Sequence, residues 1–446
     1  MDKYSRLKTL LIFLFAFSSA FSSIALAEGD DISSQKKDSL SLKEVISKAI
    51  STYPTVKAAE EAINNAETRI KLARSGYYPE VEMNANFSNL GPVTKLTIPN
   101  MGSFQLYPEN NYSAAINYRQ VIFDFGRTKQ NIEYEKEGKA LGEQSLEQAR
   151  QKISVMAVSN FYTLLFLQSA LKIKNEQLIT LNEHLEHILK MKETGSATDY
   201  QVLSTKVKIS AVESQKVDIE SAIRVQQALL NTLIGADQSS HPVVRNEIDN
   251  TMGLVSQDSA FSFAMKHRDE VLLQQRKIEM AGLRYDITKL QYRPVISLSA
   301  SGGAKNGYVP ELYDFKPNYV VGIGLRIPIF DGNKTKYNLA QAESAVTTLS
   351  YESDLIKRNI SNEIVDAETY LLSSERKVRQ CSLQLEQAMK AYSLAETSFS
   401  SGVITNLDLL DSNTAVSESR LQYLKAQIDY LASIYRYKSA LGERIY

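Results

Sequence analysis

Two aspartates, Asp408 and Asp411, follow Gly402 at a short break in an otherwise continuous helical pattern. A lone glycine in such a pattern favours a helix C-terminus, where it supplies the left-handed conformation. Thr405 or Asn406 can then cap the next helix. Acidic side chains three residues apart share one face of a helix, where they can attract cations. The helix dipole alone also favours acids in a first turn, so both interpretations stay open.

A second pair of titratable residues, His184 and His187, lies three apart beside Glu183 and Glu186. A metal site is one interpretation, but the spacing is not the His-Glu-x-x-His of zinc proteases, and a solvated helix surface is the preferred one. The single cysteine, Cys381, is predicted to pack between helices. Since the sequence has no recognisable catalytic motif, we predict no enzyme, no metal and no cofactor.

The composition limits the function further. The 446 residues include 51 basic and 51 acidic side chains. This balance argues against a nucleic-acid partner, which would require a basic excess. One cysteine cannot form an intramolecular disulfide. Glycine (19) and proline (10) are scarce for this length, which favours long elements.

The N-terminus resembles an export signal. Residues 1–27 combine a basic start, an apolar stretch at Leu10–Ala16 and a small-x-small cleavage pattern at Ala25–Ala27. The polar segment 28–40 is predicted to be flexible. Later stretches do not approach the ~20 uninterrupted apolar residues of a membrane helix, so entry into a membrane would have to use strands.

The mature sequence contains an internal repeat. The pattern Tyr-x6-Arg-x2-Ile-Phe-Asp beginning at Tyr112 recurs at Tyr319, and Gly-x2-Thr beginning at Gly195 recurs at Gly402. Both recurrences are 207 residues later. Earlier positions match at an offset of 215, as Pro79 does with Pro294. Spacing held across several elements indicates a duplication.

The repeat sets the expected domain boundaries. The first repeat is predicted at 41–235, with strands at about 80–122 and a helical hairpin whose tip is near 195. A linker follows at 236–258. The second repeat is predicted at 259–446, with strands at about 295–327 and a hairpin tip near 402.

Each repeat is expected to begin with one helix, Leu42–Gly76 in the first and about Ser259–Tyr292 in the second. After the strands, a helix is expected at about 126–193 and again at about 332–401, each ~100 Å long at 1.5 Å per residue. Such lengths favour a coiled coil or the wall of a tube.

The strand regions alternate between apolar and polar residues. Strands of about ten residues with one apolar face fit a membrane β-barrel, and a half-buried soluble sheet is the alternative. Four strands cannot close a barrel, so membrane strands would require two or three copies of the chain. The predicted apolar faces are Val81, Met83, Ala85 and Phe87; Tyr112, Ala114, Ile116 and Tyr118; Ile296, Leu298 and Ala300; and Tyr319, Val321, Ile323 and Leu325.

Over nearly its whole mature length the chain resembles the TolC-like outer membrane efflux proteins. The resemblance rests on the duplication, on Tyr53–Val56, on the Pro79 and Pro294 positions and on Ile327–Gly332, together with the paired Gly-x2-Thr tips. It implies a mixed α and β membrane fold: a trimeric 12-stranded β-barrel in the outer membrane, continued by a long periplasmic α-helical barrel. The first tip departs from the second, since Gln201 and Ser204 stand where the second has its two aspartates.

The resemblance also implies a function and its sites. The homotrimer would be a passive exit duct in outer-membrane lipid, serving a periplasmic adaptor and an inner-membrane transporter of RND, MFS or ABC type. Asp408 and Asp411 match acids that line the periplasmic entrance in the family, where a ring of carboxylates would bind cations. A structural coiled-coil protein of the cell envelope is the alternative. The expected adaptor contacts are Gly195, Ser196, Ala197, Thr198, Gly402, Val403, Ile404 and Thr405.

Overall fold

The computed structural model describes residues 39–99, 101–245 and 257–446. The predicted signal peptide (1–27), nearly all of the predicted flexible segment (28–40) and residues 246–256 of the predicted linker lie outside the described residues. Residues Leu40–Tyr446 form one compact unit, to which the following description applies.

Helices and strands follow the same order in the two halves of the chain. The first half contains β1 (Ser39–Leu40), α1 (Leu42–Thr52), α2 (Pro54–Ser75), β2 (Glu80–Asn89), β3 (Lys95–Ile98), β4 (Gly102–Gln105), β5 (Asn110–Phe123), α3 (Arg127–Glu193), α4 (Asp199–Ile234) and β6 (Val243–Val244). The second half contains α5 (Gln257–His267), α6 (Asp269–Lys289), a 3-10 turn (Leu290–Tyr292), β7 (Val295–Lys305), β8 (Lys316–Arg326), α7 (Lys334–Ser400) and α8 (Asn406–Leu441).

The two long predicted helices are present, and the hairpins that they form have equal dimensions. Helices α3 and α7 each have 67 residues, and α4 and α8 each have 36. An aspartate starts each long helix. The Asp124 carboxylate accepts from the Thr128 N–H at 2.7 Å, and the Asp331 carboxylate accepts from the Thr335 N–H at 3.0 Å. The Phe-Asp pair that recurs in the sequence therefore marks a helix start.

The first helix of each half was predicted wrongly as continuous. In the first half Tyr53 is extended and separates α1 from α2, because Pro54 disfavours a helical residue before it. In the second half Arg268 is extended and separates α5 from α6. Arg268 lacks a proline after it; its buried guanidinium instead donates to the Ser439 and Ala440 carbonyls near the end of α8.

The main sheet has four antiparallel strands in the order β2-β5-β7-β8. The register aligns Val81 with Tyr118, Tyr118 with Ala300, and Ala300 with Val321. The four apolar faces predicted from the sequence therefore lie on one face of the sheet. The outer strands, β2 and β8, each have one edge without a strand partner in the described part of the chain.

The opposite face of the sheet is polar, and one row across it runs from Glu80 through Arg119 and Ser299 to Gly322. The apolar face is exposed in the single chain: Val81, Met83, Ile116, Val321 and Ile323 are all among its exposed large side chains. A sheet with this exposed face and two free edges lacks the cover that a soluble sheet needs. The connection from β2 to β5 contains a short hairpin, β3 with β4, that the sequence analysis did not predict.

The helices form a wall in the order α4, α3, α8, α7, since α3 packs on both α4 and α8, and α7 packs on α8. The main apolar core lies where α1 and α5 cover this wall, and it includes Phe161, Leu230 and Tyr437. One stretch of α3 is long and apolar enough by composition to cross a membrane, but half of it is buried among neighbouring helices, as in the core helix of a soluble protein. Two smaller clusters lie nearer the tips.

Candidate functional site at the helical tips

Both helical hairpins turn through a left-handed glycine. Gly195 has a φ of 75° and Gly402 a φ of 74°. In the first turn the Ser196 N–H donates to the Met191 carbonyl at 2.7 Å, and in the second Val403 makes the equivalent bond at 2.9 Å. These bonds satisfy carbonyls that the helix end leaves unpaired. The turn geometry therefore requires glycine at both tips.

The next helix of each hairpin begins with a capping box. The Thr198 N–H donates to Gln201 Oε1 at 2.8 Å, while the Gln201 N–H donates to Thr198 Oγ1 at 3.3 Å. In the second tip the Thr405 N–H donates to Asp408 Oδ2 at 2.9 Å, and the Asp408 N–H donates to Thr405 Oγ1 at 3.2 Å. Asp408 and Gln201 thus have the same structural role.

The two tips differ in what they expose. Ala197 and Ile404 lie partly buried against the apolar cluster of Ile188, Val202, Phe399 and Leu409. Ser196 and Val403 are exposed. An exposed valine beside a rigid glycine turn offers an apolar contact to another molecule.

Asp408 and Asp411 have different surroundings. Hydrogen bonds from the Thr405 side chain and backbone lower the pKa of Asp408, which stays a carboxylate in the single chain. Asp411 lies at an exposed position, with Oδ1 3.4 Å from Lys208 Nζ of α4. Both acids are therefore charged groups at the end of the wall, and Asp408 is also a capping residue, as the alternative interpretation of its position anticipated.

The sequence analysis missed Asn406, the first residue of α8, which is only 3% exposed. Its Oδ1 lies 2.6 Å from His184 Nε2 of α3. Its Nδ2 donates toward the Gln201 carbonyl at 3.3 Å and the hydroxyls of Ser204 and Thr205 at 3.2 Å, all of α4. One amide thus joins the second tip to both helices of the first hairpin. Only the cap signal, Thr405-Asn406, pointed to this place in the sequence.

His184 was predicted wrongly as a solvated surface residue. It is half-buried, packs edge-on against Phe399 and bonds Asn406. Burial lowers the pKa of His184, with the bond from Asn406 acting in the opposite direction. His187 is exposed as predicted. The described residues hold no group of three or more potential metal ligands.

About two turns above the tip clusters, the wall has a polar layer at Lys174, which is 6% exposed. Its ammonium donates to Gln177 Oε1 at 3.0 Å and Ser417 Oγ at 3.3 Å, and burial lowers its pKa. The Ser417 hydroxyl also donates to Gln177 Oε1 at 2.7 Å. Cys381 is buried in α7, as predicted.

The fold and the tips together define a class of protein: long helical hairpins, joined at gated or docking tips, that continue directly from a sheet with an exposed apolar face. Comparisons with known proteins agree. The sequence model of the family described as Outer membrane efflux protein matches residues 45–236 and 263–443.

Named relatives and solved structures cover most of the chain. The outer membrane protein TolC of Vibrio cholerae is 20% identical over 90% of each chain. The alkaline protease secretion protein AprF of Pseudomonas aeruginosa is 20% identical over 75% of this chain and 70% of the relative. The structure of the outer membrane protein VceC of Vibrio cholerae has a TM-score of 0.74 at 19% identity, covering 91% of this chain and 97% of VceC. The protein belongs to the outer membrane efflux protein family and is an outer membrane protein.

Proposed function

We propose that three copies of this chain form a 12-stranded β-barrel continued by a periplasmic helical tube, and that each copy contributes two repeats. The four-stranded sheet carries this proposal. Its apolar face suits lipid, its polar face suits a water-filled lumen, and its two free edges need strands from other copies. The helical wall extends from the sheet, so closing one also closes the other.

The assembled protein acts as a passive exit duct. Energy for transport comes from an inner-membrane transporter, and a periplasmic adaptor bridges the two. The relatives named for secretion and efflux support this place in a larger system. The tip segments Gly195–Thr198 and Gly402–Thr405 are the surfaces that contact the adaptor, because they end the tube and combine rigid turns with exposed side chains.

Asp408 and Asp411 form the periplasmic gate. Each copy brings two carboxylates to the tip of α8, and three copies make a ring that binds cations. Neighbouring carboxylates in the ring raise one another's pKa, against the lowering that Thr405 causes for Asp408. The gate therefore combines a capping contact within each chain with an electrostatic barrier across the lumen.

Reconstitution in planar lipid bilayers tests the duct. The purified full chain should insert as a trimer and produce discrete conductance steps. A water-soluble monomer without conductance would contradict the duct and favour the structural coiled-coil alternative. The arrangement of an adaptor can be tested separately by photo-crosslinking from Val403, with Val243 as an exposed control far from the tips.

A further inference from the structure

Helix α4 has an exposed apolar stripe whose counterpart on α8 is buried. Leu203 is 60% exposed, whereas Leu410, 207 residues later, is 2% exposed and packs with Leu181 of α3. The same difference holds for Ser210, which is exposed, and Ser417, which is buried. Other exposed members of the α4 stripe, spaced by whole or near-whole turns, are Tyr200, Val207, Val217 and Val225.

The same difference appears in the short helices above. Leu72 of α2 is 71% exposed. Its counterpart at the 215-residue offset, Ile287 of α6, is buried, and α6 packs on α3. Two elements of the first half thus expose apolar side chains where their counterparts in the second half are covered with the help of α3. Both α2 and α4 lack a partner equivalent to α3 on that side.

Helix α7 is the counterpart of α3, and it has an exposed apolar stripe of its own. The members lie within about a quarter-turn of one another at 100° per residue. They are Tyr337, Tyr351, Leu355, Val365, Leu383, Ala391 and Leu394.

The α3 residues at the equivalent positions are mostly polar and partnered. Glu176, the counterpart of Leu383, accepts from Arg420 of α8 at 3.0 Å. His184, the counterpart of Ala391, bonds Asn406. The contact of α3 with α8 inside one chain is therefore polar, and the corresponding faces of α7 and α4 are apolar. Apolar faces of this length on a soluble segment indicate an interface.

We propose that the α7 stripe docks onto α2 and α4 of a second copy of the chain, in the register that α3 uses with α6 and α8. This inference rests on the proposed assembly and adds its contacts. It also assigns a role to the polar residues of α3. Lys174 and Glu176 are satisfied only by α8 of the same chain, so α3 cannot take the place of α7 at the apolar contact.

Cross-linking tests the register. The 3.0 Å contact of Glu176 with Arg420 maps onto Leu383 and Glu213 of two different copies. In a Cys381→Ser background, Leu383→Cys with Glu213→Cys should give covalent trimers with a short thiol-to-thiol cross-linker. Leu383→Cys with Glu220→Cys, two turns further along α4, should not. Equal cross-linking of both pairs, or of neither pair within intact conducting trimers, would overturn the proposed register while leaving the duct in place.

A second pair of variants tests the apolar chemistry. Leu355→Gln with Leu383→Glu gives α7 the residues that α3 has at equivalent positions, Gln148 and Glu176. The trimer should then dissociate at a lower temperature than the wild-type trimer. Ile179→Glu is the control, because Ile179 is exposed and its counterpart is already Glu386. Equal stability of both variants would contradict the apolar contact, whereas absence of trimers in the wild type would contradict the proposed duct itself.

Discussion

His184 on α3 and Asn406 at the start of α8 are joined by a 2.6 Å contact between Nε2 and Oδ1. Since Asn406 Oδ1 can only accept, the histidine donates from Nε2. The contact fixes the second tip against the first hairpin, and the Asn406 amide extends it to α4. A conformational change that separates the two tips of one chain has to break this contact.

Acidification should weaken the tip through His184. Burial holds its pKa below the value in the unfolded chain, about 6.5. Below that pH the unfolded state binds more protons, so the free energy of unfolding falls as pH drops through the folded pKa. His184→Gln keeps a donor for Asn406 but does not titrate. Denaturant midpoints measured between about pH 7.5 and 5 should therefore vary less for the variant; an identical pH dependence would contradict this.

Neutralising the tip acids should weaken cation block of the channel. Asp408→Asn keeps an acceptor for the Thr405 cap, so the charge is removed with little loss of helix structure. Combined with Asp411→Asn, it should raise the divalent-cation concentration needed for half-block of single-channel current several-fold. Asp199→Asn is the matched control, because Asp199 begins α4 at the first tip and pairs with Lys192. Unchanged block in the double variant would remove the proposed gate.

Much of this architecture could be predicted from local patterns. Period-two alternation gave the faces of the sheet, and Gly402 with Thr405 gave the tip, because each depends on residues close in sequence. The role of Asn406 could not be predicted in this way, since its partners His184 and Thr205 are about 200 residues away. The break at Arg268 was missed for the same reason, as its cause is a contact with α8.

Gly303 should be irreplaceable in β7. A Cβ there would lie 2.1 Å from the Ala114 carbonyl oxygen of β5, a backbone atom that cannot move aside. Overpacking typically costs about 1–3 kcal/mol, and a clash with backbone should reach at least that range. Gly302→Ala is the control, because a Cβ at Gly302 meets nothing within 4 Å. Gly303→Ala should lower the yield and thermal stability of membrane-inserted trimers; equal behaviour of the two variants would contradict the close approach.

The polar layer at Lys174 should respond differently to the loss of its charge and the loss of its partner. Lys174→Met removes a buried ammonium, keeps the side-chain volume and leaves the 2.7 Å bond between Gln177 and Ser417. Its effect on stability should be neutral or stabilising by about 1 kcal/mol. Gln177→Leu instead leaves the ammonium with Ser417 alone and should destabilise by about 1–3 kcal/mol. Helical circular dichroism during chemical denaturation measures both, and a larger loss for Lys174→Met than for Gln177→Leu would show that the charge itself stabilises the wall.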